Sequence, residues 1–291
     1  MFTGTFTAIV TPFKNEMIDE PALERLIKAQ IKGGVAGIIP VGSTGESPTL
    51  SMEEHIHVIE LAVKFADQKI KVIAGTGANA TSEAIFLAQA AEKAGADACL
   101  QVVPYYNKPT QDGLFQHFQA ISKSTKLPII VYNIPGRCGV EIAVETLHRL
   151  ARECKNIVGS KESTGNLDRI SQMRAVLGNG FSILCGDDSL TVPFMSVGAN
   201  GVVSVASNLI PKEMSQLTRA MAMGKLDIAQ KIHFKYFQLF RDLFIETNPG
   251  PIKAALAMTD AIEEEYRLPM APMSAKNRET LKATLKACGI L

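Results

Sequence analysis

Two stretches decide the fold: Pro128-Ile129-Ile130-Val131-Tyr132-Asn133 and, further on, Ile157-Val158-Gly159-Ser160-Lys161. Each is a short apolar, β-branched run that stops on polar side chains. A strand that is apolar at successive positions has no face to offer to water. Such runs predict strands buried on both sides, in a parallel sheet covered by helices. Working outward, similar runs recur at Thr7–Val10, Gly37–Val41, Lys71–Gly75, Ala98–Val103, Phe181–Cys185 and Gly201–Val205, at intervals of roughly 20–35 residues. The segments between them carry helical spacing. Ser51 and Glu54 make a capping box ahead of Ile56, Ile59 and Val63. Ala84, Leu87, Ala88 and Ala91 fall on one helical face, with Gly95 as the stop.

Eight strand–helix units predict a closed (β/α)8 TIM barrel more than a doubly wound sheet. After about Met223 the strand signal ends, and only helical patterns follow, including Ala229–Phe244 and Arg278–Ala287. The expected organisation is a barrel over residues 1–224 and a C-terminal helical domain over 225–291 packed against it.

Composition narrows the function classes. The chain has 291 residues, 46% of them hydrophobic and 20% charged, with a formal net charge of +1. That is a globular balance with no general pull toward nucleic acid or anionic lipid. No apolar run approaches the roughly 18 residues of a membrane span. The first eleven residues are apolar but have no basic residue ahead of them, so they read as a first strand and not as a signal peptide. Five cysteines, none in Cys-x-x-Cys spacing, argue against a disulfide framework or zinc site and for a reducing cytoplasm.

In a parallel barrel, chemistry sits where strands end and βα loops begin. The polar residues at those places are Ser43, Thr44 and Glu46, then Asn79, Tyr105 and Tyr106, then Tyr132, Asn133 and Arg137, then Lys161 and Glu162, and last Asp187 and Asp188. A lone lysine at a strand end commonly snorkels to solvent. Pointed into a barrel mouth it is desolvated, which favours the free amine that attacks a carbonyl. Tyr132, at the adjacent strand end, can shuttle protons for it, although a barrel-mouth tyrosine often makes only a structural hydrogen bond. Gly42-Ser43-Thr44-Gly45-Glu46 offers hydroxyls and backbone N–H groups to a small carboxylate, or is an ordinary helix-capping turn. Arg137 suits a bidentate carboxylate contact or a surface ion pair.

Gly75-Thr76-Gly77-Ala78-Asn79-Ala80 matches a dinucleotide-binding glycine pattern, but the following acid, Asp97, precedes the next strand instead of ending it. His55, His57, His117, His148 and His233 all fall in helical patterns, which argues against a metal-dependent aldolase. Asp187-Asp188 reads as a helix cap, and Glu263-Glu264-Glu265 as a solvated face.

Taken together, Gly42–Glu46, Tyr132–Gly139 and Lys161-Glu162-Ser163-Thr164-Gly165, in this order and spacing, resemble the dihydrodipicolinate synthase / N-acetylneuraminate lyase family of pyruvate-dependent lyases. The likeness runs essentially end to end. Supporting segments are Gly75–Ala80, Pro104–Pro109, Gly186-Asp187-Asp188 and Arg267–Met270. The resemblance implies the barrel with a helical C-terminal domain, and Lys161 as Schiff-base lysine with Tyr132 as proton donor and acceptor. It places Ser43 and Tyr106 in a proton relay, Tyr106 reaching in from a neighbouring subunit. Thr44, Gly186 and the backbone near Val203 are implied to hold substrate, and Arg137 the carboxylate of aspartate semialdehyde.

No metal and no organic cofactor is implied, and the expected assembly is a homotetramer built as a dimer of dimers. Arg137 points to the synthases of the family. The alternative is a pyruvate-dependent aldolase for N-acetylneuraminate or a 2-keto-3-deoxy sugar acid, and Ser43 and Cys138 are departures from the usual synthase pattern. A lysine-inhibition site, where the family has one, corresponds to Ser47, Pro48, Met52, His55, Asn79, Glu83 and Tyr105.

Overall fold

The computed structural model describes residues 1–291. Eight parallel strands close into a barrel: β1 (Gly4–Ala8), β2 (Gly37–Ile39), β3 (Lys71–Gly75), β4 (Ala98–Val102), β5 (Ile129–Asn133), β6 (Ile157–Glu162), β7 (Ser182–Cys185) and β8 (Gly201–Ser204). Pairing of β8 with β1 completes the circle. The helices between and after them are α1 (Glu20–Gly33), α2 (Met52–Ala66), α3 (Thr81–Ala94), α4 (Gln111–Ser124), α5 (Val144–Glu153), α6 (Leu167–Leu177), α7 (Thr191–Ser196) and α8 (Pro211–Ala222). Helices α9 (Leu226–Asp242), α10 (Gly250–Met258) and α11 (Ala275–Ala287) follow the barrel. The TIM-barrel fold expected from the eight apolar runs is the one observed.

Two apolar layers hold it together. Phe6, Ala8, Ile39, Ile73, Leu100, Ile130, Tyr132, Leu184 and Val203 fill the barrel interior. A larger cluster lies between strands and helices, where Ile38, Val72, Val131 and Ile183 meet α1–α6 residues such as Leu23, Ile59 and Phe118. Strand residues alternate between the two layers, so both faces of each strand are dry.

The first strand sits earlier than expected, at Gly4–Ala8 instead of Thr7–Val10. Its outward residues are threonines, which broke the apolar pattern. They are buried and satisfied from far away: Thr5 Oγ1 donates to the Met214 carbonyl, and Thr7 Oγ1 donates to Gln30 Oε1 at 2.7 Å. The second strand ends at Ile39, because the chain turns at Val41, whose φ of 50° lies in the left-handed region.

Candidate active site

Register places the site. Across β4, β5, β6 and β7 the aligned residues are Val102, Tyr132, Lys161 and Leu184. A bulge between Ile129 and Ile130 absorbs Val158, after which Gly159 and Lys161 face inward while Ser160 and Glu162 face the helices. Lys161 is 7% exposed, and its Nζ lies 4.0 Å from the centre of the Tyr132 ring. The burial expected of this lysine is therefore present, with the phenol ring as its neighbour.

Glu162 holds the strand ends from behind. Its carboxylate is buried and accepts from Ser160 Oγ at 2.6 Å, Asn133 Nδ2 at 3.0 Å and Arg169 Nε at 2.9 Å. Arg169 in turn donates to the Ile142 carbonyl at 2.7 Å. This network sets β5 beside β6 at the level of Tyr132 and Lys161.

The turn after β2 forms the opposite wall. Within it Gly45 N–H and Ser47 N–H donate to the Gly42 carbonyl, and Glu46 N–H to Ser43. The Ser43 and Thr44 N–H groups donate to no protein acceptor. Two adjacent open amides beside a hydroxyl form a concavity suited to a carboxylate. The glycines of Gly75–Ala80 serve packing instead of phosphate binding. A Cβ on Gly75 would lie 2.5 Å from the Val41 carbonyl oxygen, and one on Gly77 would lie 2.2 Å from the Val102 nitrogen.

Ser43, Thr44, Tyr132, Arg137, Lys161 and Gly186 line one cavity of about 50 Å³ at the barrel mouth. Ser163, Asp187, Val205, Phe244 and Asn248 line it too. Two expected residues lie elsewhere. Val203 is in the apolar layer, and Val205, just past the end of β8, lines the cavity instead. Tyr106 is 89% exposed with φ 74°, turned away from its own barrel.

Asn248 had no sequence signal, because it enters from the segment before α10. It is buried, its Nδ2 donates to Thr44 Oγ1 at 2.9 Å, and its carbonyl accepts from Arg137 Nη2 at 3.0 Å. Its Oδ1 and the Ser163 Oγ are buried without a protein partner. Such groups are normally satisfied, so both are available to a ligand.

Electrostatics separates the two aspartates. Burial raises the Asp187 carboxyl above its ordinary range, and the Lys161 ammonium pulls it partly back. Burial pushes Asp188 up to about 6, against the pull of donors from Ser204 Oγ, Ala206 N–H and Val205 N–H. Contrary to the expected helix cap, the Asp188 carboxyl accepts from Val205 N–H and Ala206 N–H and ties the β7 loop to the end of β8. Burial also pushes the Cys138 thiol up to about 11, so it stays neutral beside Arg137.

A second cavity of about 530 Å³ opens beside the first and shares Gly42, Ser43, Tyr132 and Arg137 with it. Ser47, Pro48, His55, Glu83 and Tyr105 line it, whereas Asn79 and Met52 do not. The His55 Nε2 contacts the Gly75 carbonyl at 2.7 Å, and burial lowers its pKa, so the ring is a neutral donor to the backbone. Glu263-Glu264-Glu265 is not a plain solvated face: Glu264 takes Arg278 at 2.6 Å and Lys14 reaches Glu263 at 3.4 Å.

A model of the dihydrodipicolinate synthetase family matches residues 1–288. A relative from Hydrogenobaculum sp. (strain Y04AAS1), named 4-hydroxy-tetrahydrodipicolinate synthase, is 52% identical over 291 residues and the alignment covers 100% of both chains. The solved dihydrodipicolinate synthase of Aquifex aeolicus superposes with a TM-score of 0.98 at 52% identity, covering 99% of each chain. The solved 4-hydroxy-tetrahydrodipicolinate synthase of Methylacidiphilum fumariolicum SolV gives 0.98 at 55% identity, covering 99% of this chain and 96% of that one.

Proposed function

The chain belongs to the dihydrodipicolinate synthetase family, and on that premise we propose that it condenses pyruvate with L-aspartate 4-semialdehyde to 4-hydroxy-tetrahydrodipicolinate through an imine on Lys161. The product lies on the diaminopimelate route to lysine. One observation supports this reading above the others: a buried lysine amine stands 4.0 Å from a tyrosine ring in a cavity that also holds Thr44 and Arg137. The relatives' names favour this second substrate over N-acetylneuraminate or a keto-deoxy sugar acid.

The chemistry follows from the groups present. The turn amides and the Thr44 hydroxyl take the pyruvate carboxylate. Lys161 Nζ adds to the ketone carbon and water leaves, forming the imine. Loss of a methyl proton gives the enamine, with Tyr132 and Ser43 moving protons. The enamine carbon attacks the aldehyde, whose oxygen takes a proton and becomes the hydroxyl. Arg137 holds the carboxylate of that aldehyde. The substrate's own amine then attacks the imine carbon, closes the ring and releases Lys161. The protonated imine is the electron sink, so the scheme uses neither metal nor organic cofactor.

Tyr106 joins the relay from a neighbouring subunit in this scheme, which its exposure supports. The assembly is a homotetramer made of two dimers, and the compartment is the cytoplasm. Five free cysteines, all buried, support a reducing compartment. No helix is long and apolar enough to cross a membrane.

The larger cavity is the regulatory site in this reading, with Ser47, His55, Glu83 and Tyr105 around lysine; Asn79 does not line it. Lysine at millimolar levels then slows turnover, and an unchanged rate removes the regulatory role. The main test is borohydride reduction with pyruvate followed by peptide mass analysis. The expected adduct is on Lys161, with aspartate semialdehyde consumed in the uninhibited enzyme. An unmodified Lys161 peptide overturns the mechanism.

A further inference from the structure

The turn that carries Ser43 and Thr44 is strained at both borders. Val41 has φ 50° and Glu46 has φ 53°, and neither is glycine. For β-branched Val41 this backbone is a clear outlier. Such a conformation persists only where the surroundings over-determine it. Thr11 Oγ1 contributes by donating to the Gly45 carbonyl at 2.7 Å. Thr49 Oγ1 donates to the Glu46 carbonyl at 3.0 Å, and three further restraints come from the segment after the barrel. Asn248 Nδ2 donates to Thr44 Oγ1 at 2.9 Å, Lys253 Nζ donates to Glu46 Oε1 at 2.5 Å, and Arg267 N–H reaches Glu46 Oε2 at 3.4 Å.

The Lys253–Glu46 pair is the unusual member of this set. Its side chains are 0% and 1% exposed. The ammonium also faces the rings of Phe13 at 4.3 Å and Tyr266 at 5.4 Å. A fully buried ion pair is a poor route to stability, because taking two charges out of water offsets their attraction, and apolar replacements are often neutral or better. What the pair does supply is direction: a short charge-assisted bond to the last residue of the turn, from a helix packed 207 residues away.

We propose that Lys253 is a positioning residue for the reaction: through Glu46 it holds the Gly42–Glu46 turn so that the Ser43 and Thr44 amides and the Thr44 hydroxyl point at the pyruvate carboxylate. The inference rests on the reading of that turn as the carboxylate site. Through Lys253, which does not line the cavity, the helical region after the barrel acts on the pyruvate site at a distance. Lys253 carries the outer end of the turn, and Asn248 the inner end.

The test is the double variant Lys253→Met with Glu46→Gln, which removes the charges, keeps the shape and leaves Arg267 N–H an acceptor. Thermal midpoint, kcat, KM for each substrate and borohydride-trapped imine per chain are measured. The expected result is a midpoint near wild type with kcat/KM for pyruvate down roughly tenfold to a hundredfold per imine-competent site, since small misplacements of positioning groups have effects of that size. KM for the aldehyde stays close to wild type. A purely structural role would lower only the fraction of chains that form imine.

Wild-type kcat/KM for pyruvate per competent site, or a loss explained wholly by fewer competent sites, overturns the proposal. If the double variant does not fold, Glu46→Gln alone decides. It leaves Lys253 a neutral acceptor, and the proposal then requires a severalfold rise in KM for pyruvate; no rise overturns it. A wild-type enzyme that forms no imine would instead sink the reading of the site itself.

Discussion

The two walls of the mouth cavity are built differently. One is strand: Tyr132 and Lys161 sit at aligned positions of β5 and β6, each flanked by ladder hydrogen bonds. The other is loop: Ser43, Thr44 and Arg137 lie in βα connections, where the Asn248 side chain donates to Thr44 and the Asn248 carbonyl accepts from Arg137. Each wall is backed by a buried ion pair. Behind the strands Glu162 meets Arg169 at 2.9 Å, seven residues on in the same βα unit, with Ser160 and Asn133 as further donors to the carboxylate. Behind the loop Glu46 meets Lys253 across most of the chain. The strand wall thus fixes the Lys161 amine and the Tyr132 phenol with local means. The loop wall, which receives the carboxylates in the proposed scheme, is held by Asn248 and Lys253 from the region after the barrel. In the proposed scheme the imine-forming amine and its phenol neighbour sit on strands, and the carboxylate-binding groups sit on loops together with the Ser43 hydroxyl.

This division predicts graded losses. Tyr132→Phe removes the phenol from the strand wall and leaves the packing of the ring. Turnover is expected to fall by about 10²–10⁴-fold, the range for losing a positioned acid–base group. Imine formation with pyruvate slows with it, and circular dichroism stays unchanged. A Phe variant that forms imine at the wild-type rate would place the proton transfer elsewhere. Arg137→Ala acts on the loop wall and separates the two substrates. kcat/KM for the aldehyde is expected to fall about tenfold to a hundredfold, the value of a lost charge-assisted contact. The pyruvate imine forms as before, because Arg137 is not part of the turn. Equal losses for both substrates in steady-state and trapping assays would erase the distinction between the walls.

The strand wall was the more legible of the two in the sequence. Burial on both faces writes itself as runs such as Ile129–Val131, and a polar residue ending such a run stands out. Lys161 and Tyr132 were visible for that reason. β1 was misplaced because its outward threonines are satisfied by Met214 and Gln30, partners that no local pattern reveals. The supports of the loop wall were illegible for the same cause. Asn248 and Lys253 lie in a stretch whose helical pattern says only that it is helical, and each meets a partner more than 200 positions away. Asp187-Asp188 looked like a cap because acids before helices usually are caps. Only the fold shows Asp188 reaching across to β8. Where a residue's partner is near in sequence, spacing carries the information; where it is not, chain topology does.

Asp188, which ties the loop after β7 to the end of β8 at the barrel mouth that both walls share, gives the smallest effect. Burial raises its folded-state pKa to about 6, from an ordinary value of 3.8. Between those two values the folded state keeps a proton that the unfolded chain has lost. The unfolded state then binds fewer protons, so the stability contributed by this site falls as pH rises from about 4 to about 6, and levels off above. The slope is at most about 1.4 kcal/mol per pH unit. Asp188→Asn removes the titration and leaves the other carboxylates in place. The difference in urea-unfolding free energy, wild type minus variant, should therefore decline across that window and be flat from pH 7 upward. A difference that rises through the window would mean that the backbone donors of Val205 and Ala206 outweigh burial. The loop after β7 would then be fastened to the end of β8 by an ionised carboxylate throughout the window.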